Sequence, residues 1–166
     1  MKENGIIIGI LVLVGIFVAG YLLLNKPLPP TSEDLASRKT VEDYFIEHMR
    51  VSAEEAKNMA SDGVILRLSP NSTVQGIVGN LYYYSFIDDE RKFEKRLETT
   101  TDSTPGNGNS IKVGNKTIDV NSNYYLNYLM SDEEIADVML NKAKFEPNFT
   151  QYNYLFMPGG PSNISN

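Results

Sequence analysis

An uninterrupted apolar run near the N-terminus constrains this chain more than any other feature. Residues 5–24 read GIIIGILVLVGIFVAGYLLL and contain no charged or strongly polar side chain. A helix of that length would be about 30 Å long, which matches the hydrocarbon core of a bilayer. Lys2 and Lys26 flank the run, and a proline-rich segment follows it. The sequence therefore predicts a transmembrane anchor over residues 1–26.

A cleaved signal peptide is the alternative interpretation of this run. Ala19 and Gly20 are small residues near a plausible cleavage site, but the apolar residues continue to Leu24, which is longer than a usual signal-peptide core. The flanking lysines do not decide the orientation of an anchor. Because the rest of the chain follows the run, we expect a single-pass protein of the cell membrane whose C-terminal domain lies outside the cytoplasm.

The composition excludes several classes of site. The chain has no cysteine and one histidine, so it can form neither disulfides nor a cysteine-ligated or His-rich metal site. Its net charge of -6 argues against nucleic acid as a partner, since phosphate binding needs clustered Lys and Arg. We therefore expect no metal, no cofactor and no nucleic acid.

Local signals predict helices first and then a strand after the anchor. Residues 27–62 combine a proline-rich spacer with a helical segment, in which Ser52 and Glu55 have the spacing of a capping box. Residues 64–68 are apolar enough for a strand that ends in Ser69-Pro70-Asn71, and a helix is expected from Ser72. A further helix over 89–98 would follow Asp88 as its N-cap.

The C-terminal half begins with a polar loop at 99–110, predicted to be flexible. Gly114-Asn115 between two short apolar runs predicts a β-hairpin, and alternating apolar residues predict a strand over 121–130. Ser131 and Glu134 form a second capping box, so residues 111–147 are expected to make a hairpin-and-helix subdomain. Residues 148–166 are predicted as an irregular tail. The fold class is α+β.

Three stretches of the chain carry a family resemblance. The first is Leu66, Leu68, Pro70, Ser72, Thr73, Ile77, Leu81, Ile87 and Phe93. The second is Tyr125, Leu126, Met130, Ser131, Glu134, Ile135 and Leu140, and the third is 155–160, which reads LFMPGG. In this order they resemble the N-terminal region of MltG-type (YceG-like) endolytic murein transglycosylases. That family has a transmembrane helix, a LysM-like module and then a catalytic domain that cleaves peptidoglycan glycan strands.

The resemblance implies a LysM-like strand–helix–helix module over residues 63–98 and a role in binding peptidoglycan. Asn71 stands where the family usually has glycine, and Gly159 replaces the usual glutamate of the later turn. The family's catalytic glutamate lies beyond the residues matched here, so no catalytic residue is assigned. Residues 148–166 would then be the start of a truncated catalytic domain, and this chain would be inactive alone.

Five residues are candidates for glycan contact. Tyr82 and Tyr83 could stack on sugar rings, although aromatic residues at a helix end more often pack in the core. The resemblance adds the turn of Pro70, Asn71 and Ser72. Beside the membrane, glycan strands and cell-wall synthesis proteins are the expected partners.

The carboxylates offer weaker candidates. Asp88-Asp89-Glu90 and Asp132-Glu133-Glu134 are dense acidic clusters, but both fall where helices are predicted to begin, and acidic residues there complement the helix dipole. Glu47 beside His48 is more consistent with two surface side chains than with an acid–base pair. A membrane-tethered protein-interaction domain with no glycan role remains the alternative function.

Overall fold

The computed structural model describes residues 37–106, 110–146 and 155–159. All described residues belong to one compact unit, which begins at Ser37. The predicted anchor at 1–26 is therefore not described. No helix within the described residues is long and apolar enough to cross a membrane.

Five α-helices lie within the described residues. Their bounds are Val41–Tyr44 (α1, continued by a π-helical turn over Phe45–Met49), Ala53–Ser61 (α2), Val74–Tyr83 (α3), Glu90–Thr99 (α4) and Asp132–Asn141 (α5). Each α-helix begins after an N-cap whose side chain accepts a hydrogen bond from a backbone N–H of the first turn, a group that would otherwise lack a partner in the helix. These caps are Thr40, Ser52, Thr73, Asp89 and Ser131.

Six strands form two sheets. The strands are Val64–Leu68 (β1), Ile111–Val113 (β2), Lys116–Ile118 (β3), Ser122–Leu126 (β4), Lys144–Phe145 (β5) and Phe156–Pro158 (β6). The larger sheet is antiparallel with the order β5-β4-β1-β6, and β2 pairs with β3 as a separate hairpin. The turn of this hairpin contains Gly114 at φ +59°, a conformation that glycine adopts without steric cost.

The hydrophobic core lies on one face of the larger sheet. Val64, Leu66 and Leu68 alternate along β1 and are buried, as the period of two in a strand requires. Leu66 lies opposite Tyr124 of β4 and Phe156 of β6, so these side chains share that face. Residues of α3, α4 and α5 complete the cluster, among them Ile77, Leu81, Phe93, Leu97, Ile135 and Met139.

Several local predictions are confirmed. The fold is α+β, and the strand over residues 64–68 has the predicted bounds. The hairpin turns at Gly114-Asn115 as predicted. Ser131 and Glu134 form a complete capping box, whereas Ser52 accepts a hydrogen bond from the Glu55 N–H without the reciprocal bond.

Three predicted boundaries are wrong by one to four residues. α3 begins after Thr73 because the Ser72 hydroxyl accepts the Ser69 N–H and so closes the preceding turn. The N-cap of α4 is Asp89 and not Asp88. The strand predicted over 121–130 ends at Leu126, because the next four residues form a turn. Asn127 closes that turn through hydrogen bonds to the N–H groups of Leu129 and Met130.

Segments predicted as separate parts are joined by the larger sheet. β1 of the predicted module 63–98 pairs with β4 of the predicted subdomain 111–147, with Leu66 opposite Tyr124. The tail predicted as irregular contains β6, which pairs with the other edge of β1. In the polar loop, the Asp102 carboxylate accepts the Thr117 N–H at 2.9 Å, which ties the loop to β3.

Candidate functional site

A hydrogen-bonded turn joins β1 to α3 and contains three of the five predicted glycan-contact residues. The Ser72 N–H donates to the Ser69 carbonyl at 3.1 Å, so residues 69–72 form a closed turn with Pro70 and Asn71 at its centre. Thr73 then accepts the Gly76 N–H at 3.1 Å and starts α3. The sequence fixes this conformation, because proline restricts its own φ and the two hydroxyls satisfy the backbone donors.

A cleft of about 170 Å³ lies between this turn, the first turns of α3 and the end of β1. Apolar side chains and hydroxyl or amide groups both contribute to its lining. The apolar residues are Leu66, Leu68, Ile77 and Leu155, and the others are Asn71, Ser72, Thr73, Gly76 and Asn80. An apolar lining with a few polar groups is common in sites that bind small molecules, although such sites usually measure about 300–1,000 Å³ and this cleft is smaller.

Asn80 is the polar side chain that α3 places in this cleft. Its amide nitrogen donates to the Gly76 carbonyl at 2.7 Å, which fixes the orientation of the carboxamide. Among the described residues no group donates to its oxygen Oδ1, so this acceptor remains for a bound molecule. Asn80 was not among the residues predicted to contact a ligand. The signal that could have identified it is its position two turns after the Thr73 N-cap.

Tyr82 and Tyr83 lie at the opposite end of α3, roughly 15 Å from the turn by the rise of an α-helix. The Arg38 guanidinium lies 4.6 Å from the centre of the Tyr82 ring, so one face of that ring is covered. Arg38 also donates to the Tyr82 carbonyl at 2.9 Å. Tyr83 is 37% exposed and packs edge-on against Tyr84. The five predicted residues therefore do not form one local site.

The charge distribution singles out α3. Its sequence is VQGIVGNLYY, which has no charged side chain. Each of the other four α-helices within the described residues carries at least two. Charged groups beside α3 come from other segments: Arg38 lies over the Tyr82 ring, and Glu90 Oε1 lies 3.5 Å from the Cβ position of Gly79. The described lining of the cleft contains no charged side chain, which suits a neutral ligand better than an ionic one.

One residue of each acidic cluster makes a capping hydrogen bond: Asp89 at the start of α4 and Glu134 at the start of α5. The Glu134 carboxylate accepts the backbone N–H and the hydroxyl of Ser131, and these hydrogen bonds hold the pKa of Glu134 below its ordinary value. Glu47 forms an ion pair with Lys39, and the His48 ring packs 4.5 Å from that of Tyr44, so Glu47 and His48 are engaged separately. No group of three or more His, Asp or Glu within the described residues could hold a metal ion.

A second, polar groove of about 390 Å³ lies between α4, the loop after it and α5. The sequence analysis did not identify it. Its polar groups bond largely to one another: Asn141 accepts from the Ser103 N–H at 2.8 Å and donates to Asp137 at 2.9 Å. A hydrogen bond from Lys142 is the main cause that lowers the pKa of Asp137. Ser103, Asn141 and Asp137 of the groove are thus bonded to one another.

Comparisons with protein-family models, with curated proteins and with solved structures give no match for this chain.

Proposed function

We propose that this chain is a membrane-anchored cell-envelope protein that binds peptidoglycan glycan strands through the cleft between β1 and α3. The proposal extends the resemblance to the N-terminal region of MltG-type murein transglycosylases. Its support is the strand–helix–helix order of β1, α3 and α4, which is the order expected of a LysM-like module.

The cleft is the observation that carries the proposal. A sugar ring has an apolar face formed by its C–H groups and an edge of hydroxyl or acetamido groups. Leu155, which is partly exposed, provides apolar lining for that face, and Leu68 and Ile77 also line the cleft but are buried in the core. Asn71, Ser72 and Asn80 provide donors and acceptors for the polar groups. This combination recognises a neutral sugar without needing a metal or a charged side chain.

The proposed role is to bind and orient glycan rather than to cleave it. Cleavage of a glycosidic bond by carboxyl groups needs at least one of them beside the bond as a general acid. Among the described residues no carboxylate lines the cleft, and Asp89 and Glu134 are engaged in helix capping. An anchor over residues 5–24 would hold the unit at the membrane face, where cell-wall synthesis proteins produce new glycan.

Co-sedimentation of the full chain with insoluble peptidoglycan sacculi, in a mild detergent, tests this proposal. We expect the wild-type chain to pellet with sacculi and to release no glycan fragments. Asn71→Ala and Asn80→Ala should reduce the bound fraction several-fold, because both remove polar groups of the cleft. Asn58→Ala, on the exposed surface of α2, is the matched control and should bind as the wild type does.

Failure of the wild-type chain to pellet would contradict the proposal, and so would undiminished binding of both cleft variants. Release of glycan fragments would contradict the proposal that the chain binds glycan without cleaving it.

A protein-docking function is the second candidate, and Leu129 is the observation that favours it. This side chain is 93% exposed at the tip of the turn that follows β4. An exposed leucine on an ordered turn is a suitable anchor for an apolar pocket of a partner. Leu129→Ser should leave the sedimentation with sacculi unchanged if glycan binds at the cleft.

A further inference from the structure

We infer that the turn of residues 127–130, which carries Leu129 at its tip, contacts the lipid surface of the membrane that holds the predicted anchor. This inference rests on the anchor of the proposed function and not on its glycan binding. Leu129 is the most exposed of the large apolar side chains among the described residues. The inference assigns it a partner of stated chemistry, the interfacial region of a bilayer of zwitterionic lipid.

The tip of this turn is apolar, and its backbone donors already have partners. The Leu129 side chain projects from the turn with 93% of the residue exposed. The Leu129 N–H donates to the side-chain oxygen of Asn127 at 2.9 Å, and the Met130 N–H donates to the Asn127 carbonyl at 3.0 Å. Backbone donors without a partner are costly in apolar lipid surroundings. The tip can therefore enter the membrane interface without leaving these two N–H groups unpaired.

Tyr128 holds the turn beside residues 37–41, the entry segment through which the chain enters the unit. The Tyr128 hydroxyl accepts the Val41 N–H at 2.6 Å, and its ring stacks on Phe86 with 4.4 Å between the ring centres. Tyr128 is nevertheless 37% exposed. Tyrosine, with an apolar ring and a polar hydroxyl, is common where a membrane meets water. The position of the turn next to the entry segment is therefore fixed by a hydrogen bond and by ring packing.

A second half-exposed tyrosine lies against the same entry segment. The Lys39 N–H donates to the Tyr83 carbonyl at 2.9 Å, so the end of α3 also borders residues 37–41. Tyr83 is 37% exposed. Of the five exposed large apolar or aromatic residues within the described part of the chain, three are thus in or next to contact with the entry segment, namely Tyr83, Tyr128 and Leu129.

The sequence tethers the entry segment to the membrane in an anchored protein. The apolar run ends at Leu24, and the proline-rich residues 27–36 separate it from Ser37. Ten residues of fully extended chain span at most about 35 Å. With an anchor in the bilayer, the surface that borders the entry segment therefore has the shortest tether to lipid of any surface of the unit.

The carboxylates near the turn decide which lipid suits it. Asp132 and Glu133 follow the turn in sequence, and ion pairs with α4 at 3.7 and 3.9 Å offset their charges in part. Glu42 and Asp43 lie in the first turn of α1, next to the entry segment. Negative side chains are repelled by anionic headgroups. We therefore expect the turn to contact phosphatidylcholine more readily than a bilayer rich in phosphatidylglycerol.

Tryptophan fluorescence in brominated lipid tests the inference. The chain has no tryptophan, so one introduced indole is the only reporter. The full chain is reconstituted in phosphatidylcholine vesicles with or without bromine on the acyl chains, which quenches an indole that reaches the lipid. We expect the emission of Leu129→Trp to fall about twofold in brominated vesicles, because an indole at this tip would lie in the interface. Quenching should be weaker in vesicles rich in brominated phosphatidylglycerol.

Phe145→Trp is the matched control. Phe145 is also exposed, at 64%, but it lies opposite Ser122, at the end of β4 away from the turn. The four-residue step from Ser122 to Leu126 corresponds to about 13 Å of strand. Phe145→Trp should therefore show little quenching, which separates the position of Leu129 from the general affinity of an indole for membranes. Both variants should keep the wild-type urea midpoint, because both side chains are exposed.

Phe17→Trp, within the predicted anchor, separates a failure of the anchor from a failure of the inference. If Phe17→Trp is not quenched, the anchor fails and the inference fails with it. If Phe17→Trp is quenched but Leu129→Trp is quenched no more than Phe145→Trp, lipid contact at the turn is overturned while the anchor stands, and a partner protein is left as the occupant of Leu129. Equal or stronger quenching in phosphatidylglycerol would overturn the preference for zwitterionic lipid.

Discussion

At the scale of single residues, Tyr128 shows how one side chain connects distant parts of the unit. Its hydroxyl accepts the Val41 N–H at 2.6 Å and donates to the Tyr84 carbonyl at 3.0 Å. Its ring stacks on Phe86 with 4.4 Å between the ring centres. Burial is the main cause that raises the pKa of Tyr128. The hydroxyl thus stays neutral and serves as a structural donor and acceptor.

Tyr128→Phe removes this hydroxyl and leaves two backbone groups without their partner. We expect the free energy of unfolding of the full chain in detergent to fall by about 1–3 kcal/mol, the range for an unsatisfied buried polar group. Urea unfolding followed by circular dichroism measures the change. Tyr83→Phe is the control, because the Tyr83 hydroxyl makes no hydrogen bond within the described residues. An equal loss of unfolding free energy in both variants would contradict the structural role of the Tyr128 hydroxyl.

The capping box of α5 gives a pH-dependent prediction. The pKa of Glu134 is lowered mainly because its carboxylate accepts the Ser131 N–H. A lowered pKa contributes stability that is present above the unfolded-state value of about 4 and is lost as pH falls through the folded-state value. Glu134→Ala should therefore lower the urea midpoint at pH 7, and the difference from wild type should shrink towards pH 3.

Glu55→Ala is the matched control for this experiment. Glu55 occupies the equivalent third position of α2 after the Ser52 N-cap, but it lacks the reciprocal hydrogen bond. If the difference in urea midpoint between Glu134→Ala and the wild type stayed constant with pH, the charge of the Glu134 carboxylate would not stabilise α5.

At the scale of elements, β6 is the strand whose placement depends most on distant pairing. Phe156 is fully buried on the core face, with its ring 5.4 Å from that of Tyr44 and 5.2 Å from that of Tyr84. Phe156→Ala should therefore reduce the free energy of unfolding by about 3–5 kcal/mol, as for other buried phenylalanines. Phe145→Ala in the edge strand β5 should have a small effect, because Phe145 is 64% exposed. Thermal and urea unfolding of both variants measure the contrast, and similar losses would argue against β6 as part of the core.

The start of β1 depends on a glycine for steric reasons. Gly63 has φ +87°, and a Cβ atom there would lie 2.5 Å from the Tyr125 hydroxyl oxygen. We expect Gly63→Ala to destabilise the unit by about 2 kcal/mol through backbone strain and this overlap. Gly79→Ala, at an unstrained helical position, should change stability in the opposite direction in the same urea assay. A neutral Gly63→Ala would contradict the tight packing of Tyr125 over this turn.

Local elements were predictable because their signals are local. The alternation in β1, the Gly114-Asn115 turn and the capping residues are all encoded within a few positions of the chain. The two errors at helix starts arose where two adjacent residues could serve as the cap, as with Asp88 and Asp89. Asp88 instead lies 3.4 Å from the Arg38 guanidinium, a contact between residues 50 positions apart that no local pattern contains.

At the scale of the whole molecule, the fold class was predictable and the topology was not. The pairing of Leu66 with Tyr124 and Phe156 joins segments that are far apart in sequence, and neither alternation nor turn signals specify such partners. The candidate site shows the same limit. The turn of Pro70, Asn71 and Ser72 became a candidate through the family resemblance, whereas the contribution of Asn80 depends on how α3 packs against β1.

The most direct test of glycan binding at the cleft is hydrogen–deuterium exchange of the full chain in detergent, with and without purified glycan strands. We predict slower exchange of the backbone amides of residues 69–83, which form the turn and α3, and no change at the turn of 127–130 that carries Leu129. Unchanged exchange over residues 69–83, or protection confined to the Leu129 turn, would contradict the assignment of this cleft as a glycan site.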